Sequence, residues 1–186
     1  MTKEDTIKDI KKEFRAAMNG ILSAKMREAG MPYKLCFGVE LPRLQQIARE
    51  FTPDHSLAQQ LWNENIRESK LLATMLMPIE NFYPEIADIW VDEIPTAEVA
   101  QVASMQLFSR LPYAPTIAFE WIASDSEMRQ LCGCLVIARL LIQGAVLNER
   151  SLLELRDQIE ALRPTASLPL RKAILAIENK ISDEKA

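Results

Sequence analysis

An all-α fold is predicted by three features of the 186-residue sequence: apolar residues recur at helical spacing, no segment alternates apolar and polar like a half-buried strand, and glycine is scarce. Five glycines stand where roughly 13 would be usual, which disfavours the many tight turns of a sandwich or barrel. Ten prolines fall mostly between the periodic segments. One domain over residues 1–186 is expected, large enough to bury an ordinary core without a metal or disulfide staple.

The first residues are charged. Lys3, Lys8, Lys11, Lys12 and Arg15 alternate with Glu4, Asp9 and Glu13, an i, i+4 arrangement that balances most of the charge locally. No apolar run suited to a secretion signal is present there, so a cytoplasmic location is expected. Leu44, Ile47, Ala48 and Phe51 then mark an amphipathic helix opened by Pro42. Thr52-Pro53 can cap and start the next, with Leu57, Ala58, Leu61 and Trp62 on one side. A third covers about 68 to 77 and stops before Pro78. Phe82, Ile86, Ile89 and Trp90 form another stripe, and Pro95-Thr96 begins a helix carrying Val99, Ala100, Ala103 and Leu107.

Pro112 and Pro115 mark a break before a short helix with Ile117, Ala118, Trp121 and Ile122, ending at a capping-box candidate, Ser124-x-x-Glu127. From about 127 to 142 the chain is apolar nearly all round, as expected of a helix packed on several sides, and Gly144 can cap its end. Asn148 or Ser151 starts the next helix, through Leu152, Leu155, Ile159 and Leu162, and Pro164 closes it. The last runs from about 167 with Leu170, Ala173, Ile174, Ile177 and Ile181. Nine or ten short helices result. Periodicity alone admits either a globular bundle or a stack of antiparallel pairs of the degenerate HEAT kind.

Several functions are disfavoured. Leu131 to Ile142 is broken by Arg139 and is shorter than the ~18 residues of a membrane span. Cys36, Cys132 and Cys134 lack zinc-ribbon or C-x-x-C spacing and read as reduced packing cysteines. No metal-ligand set and no glycine-rich phosphate loop is present, Gly133 and Gly144 being isolated, so no cofactor and no metal are expected. Trp62, Trp90 and Trp121 lie at core spacing, and His55 suits a helix start better than catalysis. Asp88, Asp92 and Glu93 read as a solvated cluster near a helix end. The net charge of −4 is uneven: residues 1–50 carry ten basic and seven acidic side chains, residues 51–128 three and twelve, and residues 129–186 nine and seven. A basic footprint for nucleic acid can therefore come only from the ends.

The run Tyr33-Lys34-Leu35-Cys36-Phe37-Gly38-Val39-Glu40-Leu41-Pro42-Arg43-Leu44 resembles the N-terminal signature of the DNA alkylation repair family of AlkD-like proteins. Leu57-Ala58-Gln59-Gln60-Leu61-Trp62, the Glu68-containing helix that follows, and Arg171-Lys172-Ala173-Ile174 are similar to further family segments in the family's order. The resemblance implies a right-handed α-solenoid of HEAT-like helix pairs. In active relatives its concave face cradles duplex DNA, and cationic N-alkylated purines are excised without base flipping.

The resemblance also implies a catalytic Asp in a W-D-x-x-D motif and a second Trp after the R-K-A-I element. Here Ala97 and Glu98 fall at the Trp and the first Asp, Gln101 falls at the catalytic Asp, and Leu175-Ala176 replaces Gly-Trp. Gln101 is neutral and cannot act as a base, and Glu98 is the surviving carboxylate nearest the place. Arg129, Arg171 and Lys172 match family basic positions and are candidates for phosphate contact. The expected function is a non-catalytic or weakly active binder of duplex DNA or of a protein partner through its concave face, with no membrane role. The alternatives are an active N-alkylpurine glycosylase using Glu98, and a protein scaffold that binds no nucleic acid.

Overall fold

The computed structural model describes residues 2–183. Eleven α-helices and one 3-10 turn run through them, and the nearest thing to a strand is an isolated parallel bridge between Leu35 and Ile66. The chain divides into two compact units, meeting in sequence at Phe82 and Tyr83.

The first unit holds α1 (Lys3–Ala16), α2 (Gly20–Glu28), α3 (Leu41–Arg49), α4 (His55–Trp62) and α5 (Arg67–Leu76). The first two add to the predicted set because each hides little: α1 buries only Ile10 and Phe14, and α2 only Ser23. A capping box between Thr2 and Asp5 starts α1. Its charges are paired mainly with residues outside the helix. Lys11 meets Glu64 at 2.5 Å, Lys3 meets Asp54 at 3.5 Å and Glu13 meets Arg43 at 3.3 Å, while Asp9 and Lys12 make the local pair at 2.7 Å. Asp54, not Thr52, caps α4 and accepts the Leu57 N–H at 2.7 Å. The backbone N–H of Asp54 also donates to the Leu76 carbonyl at 3.1 Å, which ties the cap to the end of α5.

The irregular stretch before α3 is held by one side chain. Glu68, fully buried near the start of α5, accepts backbone N–H groups of Phe37, Gly38 and Val39 at 3.1, 3.0 and 3.2 Å. Arg67, also buried, donates to Glu68 at 2.8 Å and to the Val39 carbonyl at 2.9 Å. The loop must pass close to α2, where a Cβ on Gly38 would lie 2.4 Å from the Asn19 carbonyl oxygen; Gly38 also has φ +71°.

The second unit contains α6 (Pro84–Asp92), α7 (Ala97–Gln106), the 3-10 turn Phe108–Arg110, α8 (Ala114–Ile122), α9 (Glu127–Ile142), α10 (Glu149–Leu162) and α11 (Leu168–Asp183). Helices α6, α7, α8 and α11 all pack on α9, which accounts for its apolar circumference. Gly133 permits a close approach of α8: a Cβ there would meet the Ala118 carbonyl oxygen at 2.6 Å. Thr96 caps α7, Asn148 caps α10, and Gly144 at φ +92° ends α9, with the Ala145 and Gly144 N–H groups returning to the Leu140 and Leu141 carbonyls.

Two expectations are corrected. The cap of α9 is Ser126, whereas the Ser124 hydroxyl turns back to the Trp121 carbonyl at 2.8 Å, and Glu127 reaches the Ser167 N–H at 2.9 Å. Ile89 is 57% exposed, because α6 starts at Pro84 and turns Ala87, Trp90 and Val91 inward. Trp62, Trp90 and Trp121 are all in the core.

Cys132 and Cys134 are buried in α9, and burial pushes both thiols up to about 12. Neither supplies thiolate near neutral pH. An aromatic disulfide reagent is expected to modify Cys36 alone in the native protein and all three thiols in denaturant. Fast native modification of three thiols would contradict this packing.

Candidate nucleic-acid interface

The helix bearing Gln101 exposes one narrow row. Val99, Ala100, Val102, Ala103 and Ser104 are buried in α7, Glu98 and Met105 are half-buried, and Gln101 between them is exposed. Glu98 and Gln101 thus share the outward side, with only the Ala97 methyl at the aligned aromatic position. A neutral amide at the centre of this row can hydrogen-bond but offers no negative charge to a developing oxocarbenium ion and no base for water.

Arg129 opens α9 and is held by α6. Its Nε and Nη2 grip Asp92 at 2.6 and 2.7 Å, Nη1 reaches Asp88 at 3.1 Å, and Nη2 also reaches the Asp88 carbonyl at 3.4 Å. The Trp121 indole N–H donates to the same Asp88 oxygen at 2.8 Å. Hydrogen bonding to Arg129 holds the Asp92 carboxyl below its ordinary value. Tyr113 is pushed up to about 12 by burial and then by the charges of Glu85 and Asp88, so its phenol stays neutral near pH 7.

Helix α11 has two faces. Leu170, Ala173, Ile174, Ile177 and Ile181 point inward. Leu168, Arg171, Lys172, Leu175, Ala176 and Asn179 are exposed at i, i+3, i+4, i+7, i+8 and i+11, a continuous outward row. Arg163 beside it is bonded to Glu160 and Glu178. Arg171 and Lys172 make no ion pair among the described residues and remain available to an external anion. A cleft of about 300 Å³ adjoins Arg171, lined by Arg163, Arg171, Ile174, Leu175 and Glu178.

The family model described as DNA alkylation repair enzyme matches residues 10–174. The chain belongs to the DNA alkylation repair enzyme family. A solved structure described as "a new family of proteins related to the HEAT-like repeat DNA glycosylases with affinity for branched DNA structures" is similar, with a TM-score of 0.79 and 19% identity. The match covers 94% of this chain and 74% of that one. At this identity the likeness establishes the HEAT-like helical fold. No curated protein sequence gives a significant match.

Within this member of the family, the predicted basic residues have different surroundings. Four of the five N–H groups of the Arg129 guanidinium are already used within the unit, and Asp88, Asp92 and Arg129 together carry one net negative charge. Asp88 and Asp92 are therefore half-exposed partners of Arg129, where the sequence suggested a simply solvated cluster. Sequence reasoning also missed Glu68 and Gly133 as structural residues, since their partners lie on other helices. His55 is the first residue of α4. Among the described residues, no group of three or more His, Cys, Asp or Glu is placed to hold a metal, and no helix is long and apolar enough to cross a membrane.

Removing Arg129 leaves Asp88 and Asp92 as like charges one turn apart. Arg129→Ala is expected to lower stability by about 1–2 kcal/mol, a fall in melting temperature of about 2–8 °C. The sign of the pH effect follows from the depressed Asp92 value. The stability from this pair is fully present above the unfolded carboxylate pKa of about 3.9 and is lost as pH falls through the lower folded value. The difference between wild type and variant should therefore shrink below about pH 4 in acid-unfolding curves. A constant difference down to pH 2 would remove Asp92 as its source.

Proposed function

We propose that this protein binds duplex DNA through the outward row of α11 and is non-catalytic or weakly active as a glycosylase. Gln101, exposed at the centre of the only open row of α7, carries the catalytic half of this reading. An amide there supplies neither charge stabilisation nor proton abstraction, and loss of one such stabiliser reduces rate by ~10²–10³. Arg171 and Lys172, which make no ion pair among the described residues, carry the binding half by phosphate contact. Arg129 adds at most its one remaining N–H. The affinity of the structural neighbour for branched DNA is consistent with a family branch that retains nucleic-acid binding. Three free cysteines suit a reducing cytoplasm.

Two measurements test the proposal. Base release from DNA carrying a cationic N-methylated purine is expected to stay near the spontaneous rate. Release well above it that is abolished by Glu98→Gln would establish the glycosylase alternative. Affinity for duplex DNA is expected to fall linearly in log K against log salt. Absence of DNA affinity at low salt would leave the protein-scaffold alternative.

A further inference from the structure

Three sulfur-bearing side chains of the first unit converge on one recess. Helix α2 ends in a Schellman closure, in which the Gly30 N–H donates to the Arg27 carbonyl at 3.0 Å and the Met31 N–H returns to the Met26 carbonyl at 3.2 Å. The closure brings Met31 back beside Met26. On the facing loop Cys36 is fixed on both sides: its carbonyl accepts the Ser23 hydroxyl at 2.7 Å, and the next N–H, of Phe37, donates to the buried Glu68 at 3.1 Å. The Cys36 thiol donates to the Met26 thioether at 3.3 Å. Met26, Met31 and Cys36 line a recess of about 60 Å³, room for roughly two waters at ~30 Å³ each. Met26 and Cys36 are half-buried and Met31 is exposed, so a small ion can enter.

The donor set selects the ion. Thiolate and thioether are soft ligands that suit Cu(I), whereas Mg, Ca and Mn require carboxylate, carbonyl or water. Glu68 has one oxygen 3.9 Å from the thiol sulfur, but that oxygen already accepts the Gly38 and Val39 N–H groups and the Arg67 guanidinium. Arg27 and Lys34 line the same recess. Their charge opposes a divalent cation, while a monovalent ion on one thiolate adds no net charge. The three rotatable bonds of methionine let its sulfur adjust around the ion.

We infer that Met26, Met31 and Cys36 form a binding site for Cu(I), independent of DNA binding. The ion enters as Cu(I) and no electron is exchanged. Cys36 binds as the thiolate, its proton leaves to solvent, and the two thioethers complete a three-sulfur set.

The test uses reduced full-length protein without oxygen, with Cu(I) offered as its bicinchoninate complex. Wild type is expected to take one equivalent from the chelator and to release one proton per ion. Loading should shield Cys36 from the aromatic disulfide reagent. Cys36→Ala should take no copper, and Met26→Leu and Met31→Leu should each bind at least about tenfold more weakly, a loss that removal of even an outer-shell partner brings. Leucine conserves the methionine volume, so the metal-free variants should melt with wild type. In wild type itself, the ε-methyl NMR signals of Met26 and Met31 should move on loading while that of the buried Met77 stays in place. An excess of Zn2+ should not displace the copper. Absence of transfer, loading that survives Cys36→Ala, loading that leaves both ε-methyl signals unmoved, Met26→Leu affinity equal to wild type, or displacement by Zn2+ overturns the inference. None of these outcomes bears on DNA binding.

Discussion

Glu68→Gln should lower the stability of this protein by about 3–5 kcal/mol, equivalent to a drop in melting temperature of about 6–20 °C. The wild-type carboxylate is fully buried and satisfies three consecutive backbone N–H groups while neutralising the buried Arg67 guanidinium. An amide of the same shape keeps one acceptor oxygen and turns an NH2 group towards donors. It also leaves the Arg67 charge uncompensated in the core. Glu13→Gln provides the contrast: its partner Arg43 is partly exposed at 3.3 Å, and the loss should be under about 1 kcal/mol. Replacing Arg67 and Glu68 together by apolar residues should not restore stability, since the Phe37, Gly38 and Val39 N–H groups would still lack an acceptor. Circular-dichroism melting checks all three variants. A Glu68→Gln protein that melts within 2 °C of wild type would sink the idea that this carboxylate clamps the loop.

Much of the fold was legible because its signals are local. The stripe Leu44, Ile47, Ala48 and Phe51, the near-continuous apolar surface of α9, the Thr96 and Asn148 caps and the glycine at 144 each depend on residues within a turn or two. What was missed depends on distant partners. In the sequence Glu68 is one charge in a charged helix start, and its role exists only because residues 37–39 are brought against it. Asp54 rather than Thr52 caps α4, and its backbone N–H is tied to Leu76 on another helix, a contact the sequence does not display. Gly133 looked isolated because the α8 backbone it admits lies more than ten residues away in sequence. The candidate site behaved alike. The outward position of Gln101 came from the structure, and helical spacing cannot reveal that Asp88 and Asp92 hold Arg129 across 41 and 37 residues.

That difference among the cations makes a second large effect measurable. For B-DNA each phosphate contact contributes about 0.9 to the slope of log K against log salt. Losing two contacts in Arg171→Ala/Lys172→Ala should therefore flatten the slope by about 1.8. Between 50 and 200 mM salt this corresponds to about one power of ten in affinity that wild type loses and the variant does not. Charge reversal at both positions should weaken binding further at low salt, since repulsion is then least screened. Arg129→Ala should change the slope by much less than 0.9 while lowering the melting temperature, because four of its five donors serve Asp88 and Asp92. If Arg129→Ala instead flattened the slope by a full contact, the guanidinium would have to leave Asp92 when DNA binds. The Asp92 carboxyl, no longer held by that hydrogen bond, would then move back up towards its ordinary pKa in the complex, and DNA affinity would rise as pH falls through that range.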